Sequence, residues 1–209
     1  MRFIKKLIFG LFIVSNVQSI SGQEVRLDGE IFEYATYYIS SFDLNTGATN
    51  VQIFRYQLST DAYPVQVKIR FKASILSPIL GINSNLTIME VETDPFGLQA
   101  PIILDNRDIS SETTVIYDMD SPPNSIELTG RVIDTIDPSQ ADAILQSIMA
   151  TGKIADGEYT FEVSILSEDD QVLASDSKII IVQSPVSITL ESPSGVLSDT
   201  LDNVIYTTF

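Results

Sequence analysis

The sequence predicts a mainly β fold, an antiparallel β-sandwich with one short helix placed before a terminal hairpin. Three stretches carry that expectation. Val65, Val67, Ile69, Phe71, Ala73 and Ile75 alternate with Gln66, Lys68, Arg70, Lys72 and Ser74, the period of two that leaves one strand face buried and the other wet. Ala141, Ile144, Leu145, Ile148 and Met149 recur at three and four, the spacing of an amphipathic helix. Directly afterwards, Tyr159, Phe161, Val163 and Ile165 alternate with Thr160, Glu162 and Ser164, and Val172–Val182 returns across the polar turn Glu168-Asp169-Asp170.

Before the first of these strands lies a leader. Arg2, Lys5 and Lys6 precede the apolar run 7–14, and the small residues Ser19, Ser21 and Gly22 follow. That order is the pattern of a secretory signal peptide over residues 1–22. The apolar run is too short for a bilayer span, which takes roughly 20 residues, and no later stretch reaches that length. The expectation is export to the periplasm, cell surface or medium, with no transmembrane segment in the mature chain.

A strand is expected over Ile31–Ile39, which is aromatic and β-branched. Its Tyr34, Tyr37 and Tyr38 are either the edge of a core or a sugar-stacking platform. Asp43-Leu44-Asn45-Thr46-Gly47 is read as a hairpin turn; it resembles the start of a calcium loop but lacks the closing bidentate Glu. Further strands are expected over Val51–Leu58, Leu86–Val91, Pro101–Leu104, Thr113–Tyr117 and Ile126–Ile133. Lys68, Arg70 and Lys72 make a basic row in an acidic chain, to be met by carboxylates on neighbouring strands.

Asp118 and Asp120 lie in the rigid loop Asp118-Met119-Asp120-Ser121-Pro122-Pro123-Asn124. With Asp105 and Asp108 they form the candidate cation site, because carboxylates two apart on a loop suit a hard, oxygen-seeking ion such as calcium. Asp137 is placed to cap the helix, Pro138 to occupy its first turn and Gly152 to close it.

Residues 154–163, Ile-Ala-Asp-Gly-Glu-Tyr-Thr-Phe-Glu-Val, with the polar turn and closing strand after them, resemble the terminal hairpin of immunoglobulin-like and fibronectin-III-like modules of bacterial secreted and cell-surface proteins. The resemblance covers about thirty residues. It implies an immunoglobulin-like β-sandwich and carries no catalytic or binding residues with it. The Cys and Trp hallmarks of antibody domains are absent, and a helix before the hairpin is not standard for these modules. The domain so outlined runs over residues 23–184. Residues 185–209 read as the start of a second β module or as a strand-forming tail: residues 186–195 resemble the first strand and turn of another such module, and the β-rich stretch 203–209 follows.

Composition narrows the function. The chain of 209 residues has no Cys and no His, which removes thiol nucleophiles, disulfides, histidine triads and Cys/His metal sites. A hydrophobic fraction of 44% is adequate for a core to hold the fold without disulfides. The net charge is −16; residues 1–22 hold three cations and no acid, so the mature chain is near −19. Such a polyanion repels phosphate backbones, and no nucleic-acid partner is expected. The expectation is a non-enzymatic structural, adhesive or spacer module of a bacterial envelope or surface protein, with a protein or an envelope glycan as partner. The alternative is a carbohydrate- or calcium-binding module, though without Trp the largest stacking face is missing. A hydrolase working through two carboxylates needs a defined pair, and the 28 acids single none out. No cofactor other than calcium is expected.

Overall fold

The computed structural model describes residues 24–41, 43–151 and 154–183. The leader expected over residues 1–22, the second module or tail expected over residues 185–209 and Gly152, expected to close the helix, lie outside the described residues.

The fold is mainly β, and every strand pairing among the described residues is antiparallel. Strand β1 (Val25–Ile31) pairs with β2 (Phe54–Thr60), and β2 with β6 (Ile102–Asp105). The larger sheet is built on β3 (Val65–Ser77), flanked by β4 (Ile82–Thr93) and β10 (Gly157–Leu166). Beyond them lie β9 (Gly130–Thr135) and β11 (Val172–Val182), while β5 (Phe96–Leu98) pairs with the first residues of β3. Strands β7 (Thr114–Tyr117) and β8 (Ser125–Leu128) form a separate ribbon.

The alternation in β3 explains its central place. Val65, Val67, Ile69, Phe71, Ala73 and Ile75 are all buried, and so are Tyr159, Phe161, Val163 and Ile165 on β10. One hydrophobic core joins these residues to Phe54, Tyr56 and Leu58 of β2, and the Phe54 ring lies 5.3 Å from that of Phe71. Fully burying one such side chain stabilises by about 1.5–3 kcal/mol, whereas an exposed ion pair contributes about 0–1 kcal/mol. The core dominates.

Two expected strands come out differently. The aromatic run after Ile31 turns into a 3-10 helix over Glu33–Ser41 instead of continuing as a strand. Within this helix Ala35 and Thr36 are both buried, while Tyr34, Tyr37 and Tyr38 are exposed. The run Ile126–Ile133 is divided between β8 and β9. Gly130 opens β9 at a close backbone crossing: its N–H donates to the Ser110 carbonyl at 2.7 Å, and a Cβ there would lie 2.5 Å from that oxygen. The turn at Asp43–Gly47 forms, with Gly47 at φ +74°, but no strand among the described residues flanks it.

Helix α1 (Pro138–Thr151) begins where the cap residues place it. The Asp137 carboxylate accepts from the Ser139 N–H at 2.8 Å. Its apolar face is only partly used. Ile144 is buried and Ala141 packs on the core, while Leu145 is exposed and Met149 is 85% exposed. No helix among the described residues is long and apolar enough to cross a membrane.

Candidate functional site

The four acids of the candidate cation site occupy two places. Asp105 ends β6 and Asp108 closes the following 3-10 turn, Asn106–Asp108. They form a capping box: Asp105 accepts from the Arg107 N–H at 2.8 Å, and Asp108 accepts from the Asp105 N–H at 2.8 Å. Asp105 also takes the Arg107 guanidinium and the Gln52 amide. Burial works to raise the Asp105 carboxyl, but Arg107 outweighs it and holds the group below the usual range. Burial raises Asp108.

Asp118 and Asp120 sit on the β7–β8 loop. Asp118 gathers that loop around itself, accepting from the Asn124 side chain at 2.8 Å, the Asn124 N–H at 2.7 Å and the Asp120 N–H at 3.2 Å. The Asn124 hydrogen bonds hold its carboxyl below the usual range. Met119 then ties the loop to the chain before β6 through its N–H to the Pro101 carbonyl at 2.8 Å. Among the described residues, no group of three or more acids gathers at one point. The carboxylates of Asp105, Asp108 and Asp118 are occupied in holding backbone, and Asp120 contributes its N–H to Asp118.

The three tyrosines share the first 3-10 helix. Tyr34 stacks on Phe32 with ring centres 5.2 Å apart and planes 8° apart, and meets Tyr38 edge-on at 6.1 Å. Tyr37 is 71% exposed. One face of Tyr34 is therefore covered by Phe32, so the three rings do not make one flat platform.

The basic row lies on the outer face of the larger sheet, against carboxylates from β4 as its alternation implies. Glu92 is 1% exposed and is the hub. Arg70 donates to it through Nε at 2.8 Å, Arg131 of β9 reaches it at 2.9 Å, and Lys68 lies 3.7 Å away. Lys68 is itself buried and also pairs with Asp170 of the β10–β11 turn. Farther along, Lys72 meets Glu90 at 3.3 Å. Lys68 is thus not on a wet face, because the turn folds Asp170 over it and the pairing replaces its water.

A concavity of about 440 Å³ opens between β5 and the β7–β8 loop. Its lining includes Gln66 of β3, Gly97, Gln99, Asn124 and Glu127, with Phe96 buried beneath. Gln66, Gln99 and Glu127 are exposed polar groups that serve no internal hydrogen bond among those described. Nothing in the sequence marked these residues, since a glutamine opening a strand reads only as the wet half of an alternation. Their meeting depends on β5 pairing with β3 and on the loop Asp118 folds.

No family model, curated protein or solved structure matches this chain.

Proposed function

We propose that the chain is an exported, non-enzymatic module of immunoglobulin-like β-sandwich build, acting as a structural, adhesive or spacing unit of a bacterial envelope or surface protein. The observation that carries this reading is how the buried acids are used. Glu92, Asp105 and Asp118 each spend their oxygens on donors of their own chain, an arrangement that holds a fold and leaves none of the three directed at a substrate. Two antiparallel sheets contributing to one core support the sandwich reading, and the leader supports export.

A second reading, a ligand-binding module, is favoured by the concavity beside the β7–β8 loop. Its lining of Gln66, Gln99 and Asn124 with the two carboxylates Asp118 and Glu127, the first already committed to Asn124, suits carbohydrate better than calcium, which needs more oxygen ligands gathered at one point.

The test is the intact mass of the native protein taken separately from cell envelope and culture medium. Cleavage between about Ser19 and Gly22, with the protein in either fraction, is the expected result. A native protein that keeps its full N-terminus inside the cell overturns the proposal.

A further inference from the structure

The concavity between β5 and the β7–β8 loop has a chemistry that selects its ligand. We infer that it binds the hydroxyl groups of a neutral saccharide, an inference that rests on the ligand-binding reading above. Its volume of about 440 Å³ lies within the range of small-molecule sites, about 300–1,000 Å³. No Lys or Arg lines it, and the chain carries a net charge of −16, so phosphates and other anions are repelled.

The hydrogen-bonding inventory matches sugar hydroxyls. Gln66 and Gln99 each offer an amide donor and an amide acceptor. Asn124 spends its Nδ2 on Asp118 at 2.8 Å, which fixes the side chain and leaves its Oδ1 as an acceptor. Glu127 adds an acceptor for a second hydroxyl of a vicinal pair. A sugar hydroxyl both donates and accepts, so alternating amides and a carboxylate satisfy it without any net charge on the ligand. Phe96 lies at the floor and is 6% exposed, so the site relies on hydrogen bonds rather than on ring stacking.

The loop side of the site is built in advance. Asp118 holds Asn124 through both its backbone and side-chain donors, and the Ile102–Asp118 bridge fastens the loop to β6. Asn124 therefore need not be ordered on binding, which saves part of the usual cost of association. Gly97 leaves the wall beside Gln66 bare: a Cβ there would sit at ordinary contact distance, 3.4 Å from the Gln66 Nε2, so a branched side chain would take up space in the site.

The experiment is a titration of the purified chain with neutral oligosaccharides (glucans, mannans and galactans), read by two-dimensional amide NMR, with the sugar recovered and analysed afterwards. The expected result is shifts confined to residues 66, 95–99 and 124–127, and sugar recovered intact. Gln99→Ala, an exposed change that leaves the fold alone, is expected to weaken binding about tenfold, the loss of roughly one hydrogen bond's worth of affinity. Gly97→Val should abolish binding while the melting profile shows a folded protein, and Tyr37→Ala should leave it unchanged. Binding that survives Gln99→Ala and Gly97→Val but is lost in Tyr37→Ala overturns the inference and moves the site to the tyrosines. The inference is equally overturned when no sugar binds, or when only a cationic peptide does; export and a structural role would then stand. Recovery of cleaved sugar would instead defeat the non-enzymatic reading itself.

Discussion

The Tyr56 hydroxyl on β2 donates to the Asp176 carboxylate on β11 at 2.5 Å, joining the smaller sheet to the outermost strand of the larger one. Tyr56 is otherwise fully buried, so this hydroxyl is the polar end of a core side chain. Tyr56→Phe keeps the ring and removes the tie. It is expected to cost about 1 kcal/mol, seen as a lower urea midpoint with the m-value unchanged.

The same tyrosine depends on a glycine opposite it. Gly29 of β1 faces Tyr56 in the strand register, and a Cβ there would lie 2.7 Å from the Tyr56 Cα and 2.8 Å from its ring. The backbone cannot give way without parting the pair. Gly29→Ala should therefore destabilise by about 1–3 kcal/mol, the cost of overpacking, despite the higher strand propensity of Ala over Gly. Thermal melting of the variant checks it; an unchanged midpoint would show that the strands part cheaply.

Removing the hub of the outer-face network should cost far more than removing its rim. Glu92→Gln leaves the buried Lys68 with only the turn residue Asp170 as its acid, and breaking a buried pair from one side costs about 3–5 kcal/mol. Lys72→Ala removes a half-exposed partner of Glu90, for which about 0–1 kcal/mol is expected. Parallel urea unfolding of the two variants measures the contrast, and equal losses would deny Glu92 its central role.

This network also shows where the sequence stops speaking. The alternation of β3 made a basic row with acidic neighbours legible, because strand periodicity is local. That Glu92 rather than Glu90 is the buried hub depends on the β3–β4 and β4–β9 registers, which place Arg70 and Arg131 both opposite residue 92. No short window of sequence holds that information. Helix α1 and the hairpin β10–β11 were legible for the same local reason. The tyrosine run reads as a strand by aromatic propensity, which depends on packing context, and the chain instead coils into a 3-10 helix over Glu33–Ser41. Gln66, Gln99 and Glu127 come from three separate stretches, so their concavity was invisible before the fold.

Asp118 should impose an acid limit on stability. Its carboxyl is held below the usual range by Asn124, so it stabilises the fold fully above the unfolded carboxylate value of about 3.9. That contribution fades as pH falls through the lower folded value. Asp118→Asn should melt below the wild type at neutral pH, and the gap should close in strong acid. A gap that stays constant with pH would assign the loss to something other than the charge.

At the alkaline end, two tyrosines should hold their protons. Burial, with Asp156 adding repulsion, pushes the Tyr159 phenol up to about 12. Burial and the bond to Asp176 raise Tyr56 further. A spectrophotometric titration of the native protein should show a late fraction of phenol that ionises only as the fold is lost. In urea that fraction should merge with the rest near the ordinary value of about 10.

The seclusion of Glu92 sets how this sheet responds to dissolved ions. Charges open to solvent, such as Arg26 and Glu24 with side chains 60% exposed, lose their attraction as ionic strength rises, because the screening length shrinks from about 10 Å at 0.1 M to about 3 Å at 1 M. Glu92, with its side chain 2% exposed, admits no counterion atmosphere. Within the clasp the Lys68–Glu92 contact, with side chains 7% and 2% exposed, is therefore screened much less by salt than the open pairs, whereas the Arg131 arm, 61% exposed, weakens as they do.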